Sequence, residues 1–166
     1  MGGLGGFPGP VLPVEVLSVY RLQERLEGGG RLYSHCLSIG DPGEAPPDLA
    51  RGHFAGILRL EFHDICSFRD LPREEHPRAP RLADIRKILA WFEASQGKAT
   101  GYTVHCHAGV HRSVAAAMML LYLMSGSVDF VREEIVRIKA FPLPNHRMIE
   151  LFDRETGAGL GILEEG

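Results

Sequence analysis

Cysteine is scarce: three residues, Cys36, Cys66 and Cys106, stand in 166. That number is too small and too odd for a disulfide framework, so a reducing compartment is expected and at least one thiol should be free. A surplus of charge of one sign is also missing, with 18 Lys+Arg against 21 Asp+Glu and a formal net charge of -3. Neither nucleic acid nor membrane is therefore expected as a partner, and any anion site must be built locally. Long hydrophobic runs are absent too. The longest, Val114 to Met124, has 11 residues, against the roughly 20 that a membrane-spanning helix needs. The opening Met1–Pro10 lacks the basic start and apolar stretch of an export signal, and Gly6 stands where a myristoylation signal wants Ser or Thr. A cytoplasmic protein is expected, and no internal repeat is visible.

What is present suits one globular domain, with 45% hydrophobic and 23% charged residues. Residues 1–13 are Gly/Pro-rich and read as a flexible arm, with a single domain over 14–166. Apolar groups at Val16, Val19, Tyr20, Leu22 and Leu26 predict a helix that ends at the glycines 28–30. Strands are expected at Arg31–Ile39, Gly56–Phe62 and Tyr102–His105. Helices are expected at Ala83–Ser95, Arg112–Ser125, Val128–Lys139 and Asn145–Thr156. This alternation predicts an α/β domain with a mainly parallel central sheet flanked by helices, and a site at the carboxyl ends of the strands. Between Ile65 and Pro80 the chain is polar and interrupted by Pro72 and Pro77, the kind of loop that carries function.

The segment Val104-His-Cys-His-Ala-Gly-Val-His-Arg-Ser113 lies between a strand and a helix. A helix start offers unpaired N–H groups and the positive end of the dipole, and Gly109 lets a short loop turn more amides toward a common centre. His107, Ala108, Gly109, Val110, His111 and Arg112 thus form an expected cradle for a phosphate. The guanidinium of Arg112 has a donor fork that matches two phosphate oxygens. The same positive surroundings favour the thiolate of Cys106, and Ser113 can hydrogen-bond its sulfur.

Through His105-Cys106-x-x-Gly109-x-x-Arg112-Ser113 the sequence resembles the cysteine-dependent protein tyrosine phosphatases, specifically their compact dual-specificity branch. The resemblance extends from about Arg31 to Phe152, and includes the Met-rich helix and Pro144-Asn145. It implies a phosphatase-like fold with a strand–phosphate loop–helix site and hydrolysis of a phosphate monoester through a phosphocysteine, with no cofactor and no metal. Cys106 is then the nucleophile, Arg112 and the amides of residues 107–112 clamp the phosphate, Ser113 assists the leaving thiolate, and His105 orients the loop. The substrate is a phosphoprotein or small phosphate monoester. The family also needs an upstream aspartate as general acid. Asp64, at the end of the strand that includes Leu58–Phe62, is preferred because that end is pinned beside the loop. Asp70 is the alternative.

Other readings use the same residues. His105, His107, His111 and Cys106 include donors suited to a transition metal, although a loop with inward amides would point His107 and His111 apart. Rhodanese-like and arsenate-reducing enzymes also present a cysteine in an anion-binding loop. A phosphate-binding interaction module that has lost turnover is the non-enzymatic alternative, against which the retained Cys106 argues. Cys36 or Cys66 is a candidate for a protective disulfide with Cys106. Arg69, Arg73, Arg78 and Arg81 are candidates for steering an acidic substrate. The Asp41-Pro-Gly43 turn reads as structural.

Overall fold

A computed structural model describes residues 9–66 and 78–161. Its elements are β1 (Val14–Ser18), α1 (Val19–Gly28), β2 (His35–Gly40), a short 3-10 turn (Leu49–Gly52), β3 (Gly56–Glu61), α2 (Leu82–Ser95), β4 (Tyr102–Cys106), α3 (Arg112–Ser125), α4 (Val128–Ile138) and α5 (His146–Thr156). The four strands form one sheet in the order β1-β4-β2-β3, every pair parallel. Parallel strands need helical crossovers, and those helices cover both faces. On one face the main core joins the sheet to α2, α3, α4 and α5 through residues such as Phe62, Ile85, Phe92, Met119 and Phe152. On the other, Leu17, Leu22, Leu26, Cys36 and Leu49 pack α1 and the 3-10 turn. The expected α/β architecture is what the chain adopts.

The helix expected to begin at Val16 is corrected. Residues 14–18 are a strand, and helix α1 starts only at Val19. The apolar spacing of that segment fits a helix, but extended backbone here pairs with β4 from Val14 opposite Tyr102 to Ser18 opposite Cys106. This distant partner outweighs the local pattern. Ser18 marks the change, since its Oγ accepts from the Arg21 N–H at 3.1 Å as an N-cap. β2 is shorter than expected at its start and wholly buried, as suits an inner strand of a sheet covered on both faces.

Helix α3 runs through the centre. All of its 14 residues except Tyr122 and Ser125 are buried, which is why the Ala/Met/Leu run shows no polar face. Its small residues Ala115, Ala116 and Ala117 are fully buried. This helix begins at Arg112, where β4 and its following loop arrive.

Candidate active site

Strand β4 delivers Cys106 to the carboxyl edge of the sheet, level with Ser18 on β1. Cys106 is buried, and five residues then bridge to α3. Two of the bridge's carbonyls are held by neighbouring elements: Val19 N–H donates to His107 O at 3.0 Å, and Asn145 N–H to His111 O at 3.0 Å. The turn between them depends on Gly109, whose φ is +69°, and whose added Cβ would stand 2.7 Å from Ser18 N and 2.8 Å from Leu17 C. Both obstacles are backbone, so no side chain fits there. The Gly109 N–H donates to Cys106 Sγ at 3.2 Å, and Ser113 Oγ lies 3.0 Å from the same sulfur.

Arg112 is 4% exposed, yet it forms the wall of a cavity. Its Nη1 donates to Phe62 O at 2.7 Å and to Asp41 Oδ1 at 2.8 Å. Its Nε, also buried, has no partner. Nη1 is thereby pinned by protein while the buried Nε is left without a protein acceptor; a guanidinium so anchored can offer its remaining donors to an oxyanion. Asp41 was expected only to shape a turn. Its carboxylate instead lies across the end of β2 from the loop, a relation invisible when the two residues are 71 positions apart.

The cavity measures about 380 Å³ and is lined by Asp41, Asp64, Cys106, His107, His111 and Arg112, among others. Asp64, just beyond β3, is held by two contacts. Its Oδ2 lies 2.7 Å from His111 Nδ1, and its Oδ1 accepts from Asn145 Nδ2 at 2.8 Å. Asn145 is fully buried and also caps α5, its Oδ1 accepting from Met148 N–H at 3.0 Å. It therefore ties together the helix start, the loop at His111 and the Asp64 carboxylate. Neither Asn145 nor Asp41 was singled out as a site residue from sequence, although the Pro144-Asn145 pair offered a signal. Asp70, Arg69 and Arg73 lie outside the described residues.

His107 and His111 do not converge on a metal. His107 Nδ1 lies 3.2 Å from Glu44 Oε1 and its ring meets Tyr20 edge to face, whereas His111 pairs with Asp64. Among the described residues no group of three or more His, Cys, Asp or Glu could hold a metal ion. Burial pushes the Glu44 carboxyl up, but the Asp41 amide, His107 and Arg59 together hold it below the usual carboxylate range. Arg78 is not free to steer a substrate either, since it pairs with buried Asp84 at 2.7 Å and with Glu61 O.

His105, next to Cys106 on β4, is held by the neighbouring strand β2. Its Nε2 lies 2.6 Å from Ser38 Oγ, which also accepts from Arg59 Nη1 at 2.9 Å. The hydroxyl proton of Ser38 is then directed at Nε2, which selects a neutral imidazole. Burial pushes the His105 pKa down to about 4, with the Cys106 backbone working the other way. Between pH 6.5 and about 4 the unfolded chain binds more protons here than the folded one, so stability is lost as pH falls through that window. At about 1.4 kcal/mol per pH unit the loss is on the order of 3 kcal/mol. Urea titrations of wild type and His105→Asn at pH 7, 5.5 and 4.5 should show a shallower decline in the variant; equal slopes would refute this account.

All three thiols are free. Cys36 belongs to the α1 side of the core and Cys106 to the opposite one, which argues against a bond between them. Burial pushes the Cys36 thiol up to about 12. Cys66 is exposed and lines a neighbouring groove with His111.

No protein-family model matches the sequence, and no curated protein matches it. Solved structures do resemble the fold. Human DUSP28 superposes with a TM-score of 0.61 at 16% identity, over 94% of this chain and 98% of that one. Tk-PTP in its active form gives 0.60 at 17% identity, over 95% and 99%. The chain has the dual-specificity phosphatase fold. PTPMT1 in complex with PI(5)P shares it at 0.54 and 17% identity, over 88% and 93%. Within this dual-specificity phosphatase fold, the Cys106 loop occupies the turn from the central strand β4 into the buried helix α3. No helix among the described residues is long and apolar enough to cross a membrane.

Proposed function

We propose that the chain is a phosphate monoester hydrolase that acts through a phosphocysteine. The observation that carries this reading is one buried arrangement. Cys106 Sγ receives the Gly109 N–H and touches Ser113, while Arg112 lines the same cavity and its buried Nε has no protein partner. Donors fixed before the substrate arrives stabilise charge without reorganisation.

In the proposed reaction the Cys106 thiolate attacks phosphorus and forms an S–P bond as the ester P–O bond breaks. The loop amides and Arg112 hold the non-bridging oxygens. Asp64 gives its proton to the departing oxygen, and Asn145 and His111 keep its carboxyl in the cavity. A water then attacks the phosphocysteine, returning a proton to Asp64, and the sulfur leaves as thiolate with the Ser113 hydroxyl donating to it. The substrate class is a phosphoprotein or a small phosphate monoester, and the reaction calls for no cofactor.

The test is hydrolysis of an aryl phosphate against pH, with EDTA present, for wild type, Asp64→Asn and Asp70→Asn. Turnover should survive EDTA. Asp64→Asn should lose about 10² in kcat, the low end for a general acid, and lose the decline of rate at high pH, while Asp70→Asn keeps both. A reversed result moves the acid to Asp70. Reduced wild-type protein that binds phosphate without turning over any ester would overturn the hydrolase reading.

A further inference from the structure

A groove of about 520 Å³ adjoins the catalytic cavity, and His111 lines both. Its floor is Met118 on α3 and Ile135 on α4, each almost fully buried, and its walls are Val136 and the segment Pro142-Leu143-Pro144. The topology explains why these residues meet. Helix α3 leaves the Cys106 loop at Arg112, and α4 packs back against it. The chain then returns to the loop at Asn145, whose N–H donates to His111 O at 3.0 Å, which draws the segment before it against the groove. Its two prolines have a fixed φ and no N–H that would need a partner, so this wall is formed before any ligand arrives.

Val136 and Leu143 are 52% and 60% exposed, so the groove keeps apolar surface in water that a ligand would remove from it. It is not apolar throughout. Arg132 and His146, both exposed, also line it, and among the described residues no acidic side chain does. Arg132 has no ion-pair or hydrogen-bond partner among the described residues. This mixture decides between occupants. An acyl chain would take water from the guanidinium and offer it no acceptor. A peptide brings backbone carbonyls and, where its sequence is acidic, a carboxylate of complementary charge.

We infer that this groove is a peptide subsite, and that the preferred substrate is a phosphopeptide with a leucine-sized side chain two residues from the phosphorylated one and an acidic residue beside that leucine. The inference rests on the hydrolase reading above and selects the phosphoprotein from its two substrate classes. Met118 stands six residues past Arg112 on α3, about 9 Å along the helix axis. Side chains at i and i+2 of an extended peptide point to one side about 7 Å apart. One can therefore enter the Cys106 cavity while the other rests on Met118 and Ile135, and side-chain flexibility covers the difference. The neighbouring carboxylate stays in water, within reach of the long, exposed Arg132 side chain.

The experiment uses phosphotyrosine peptides of one sequence with leucine or alanine two residues before the phosphotyrosine in one series, and two residues after it in another. In one of the series wild type should show a kcat/KM about tenfold higher for leucine, the gain from burying most of the added methyl and methylene groups. In Val136→Ser/Leu143→Ser that ratio should fall to about two or less, with aryl phosphate turnover unchanged. A glutamate beside the leucine should add about threefold in wild type, the size of an exposed ion pair, and nothing in Arg132→Gln. Calorimetric titration of the peptides into Cys106→Ser separates the two readings: a leucine preference in binding without turnover keeps the groove and rejects the hydrolase, and turnover without the preference does the reverse. A leucine-to-alanine ratio of about one in both series, or a ratio the double variant leaves unchanged, would overturn the inference. So would a glutamate that adds nothing, or adds as much in Arg132→Gln, and so would a double variant that loses turnover only of long-chain alkyl phosphates.

Discussion

Cys106→Ser should reduce hydrolysis of an aryl phosphate by about 10³-fold or more, because covalent catalysis loses its nucleophile. The surroundings of the sulfur explain why oxygen is no substitute. Its contacts are the Gly109 N–H at 3.2 Å and Ser113 Oγ at 3.0 Å. Both can stabilise a thiolate already formed. Neither is a base that could strip the proton from a serine hydroxyl, which is far less acidic than a thiol. The cradle is unchanged by the substitution: Gly109 keeps its turn, and Arg112 its contacts with Phe62 O and Asp41. Phosphate and vanadate should therefore still bind the serine variant, vanadate without forming a bond to sulfur. Steady-state rates together with a binding titration decide the matter. A near-normal rate would dismiss the phosphocysteine.

Arg112→Lys should cost about 10²-fold or more in kcat/KM, in the range seen when a preorganised oxyanion donor is removed. Lysine keeps the charge but loses the plane. In the folded protein one guanidinium edge is committed to Phe62 O and Asp41 while buried Nε has no protein partner. An ammonium cannot hold those anchors and also present two parallel donors to a phosphate. The fold should survive, because Asp41, nearly half exposed, can be rehydrated. Thermal unfolding would verify that. Asp41→Asn gives the graded comparison, since the neutral amide still accepts from Nη1 and only its charge is gone; its loss should be about tenfold or less. An Arg112→Lys enzyme as active as wild type would remove the clamp from the mechanism.

The turn from Cys106 to Ser113, the proposed phosphate loop, was legible in the sequence because it is local. Cys106, Gly109, Arg112 and Ser113 lie within eight consecutive residues, and a strand before and a helix after them leave the backbone few conformations. Helix α3 was legible for the related reason that an unbroken apolar run has to be buried. Asp64 could be named because a strand end has a known place in a parallel sheet. Its confinement by Asn145 and His111 could not, since those partners are 81 and 47 positions away.

Periodicity misled where two periods fit one segment. Val16, Val19 and Tyr20 suit a helix, but Tyr20 is 61% exposed and Val16 belongs to β1. Only the pairing of β1 with β4 settles the matter, and that pairing spans 88 positions. The same strand then blocks Gly109 from carrying a side chain and places Ser18 and Arg21 beside the loop.

The alternation of strand and helix patterns was therefore enough to specify the α/β class, and one contiguous motif was enough to name the proposed phosphate cradle and nucleophile. The strand β1, the Asp41 anchor on Arg112, the Ser38 and Arg59 support of His105, and the Asn145 tie between Asp64 and the loop were decided by the tertiary structure alone. Local backbone preference acts over a few residues and can be read along the chain. Contacts between residues tens of positions apart form only when hydrophobic burial brings the elements together, and the linear sequence does not say which of many polar side chains will then meet.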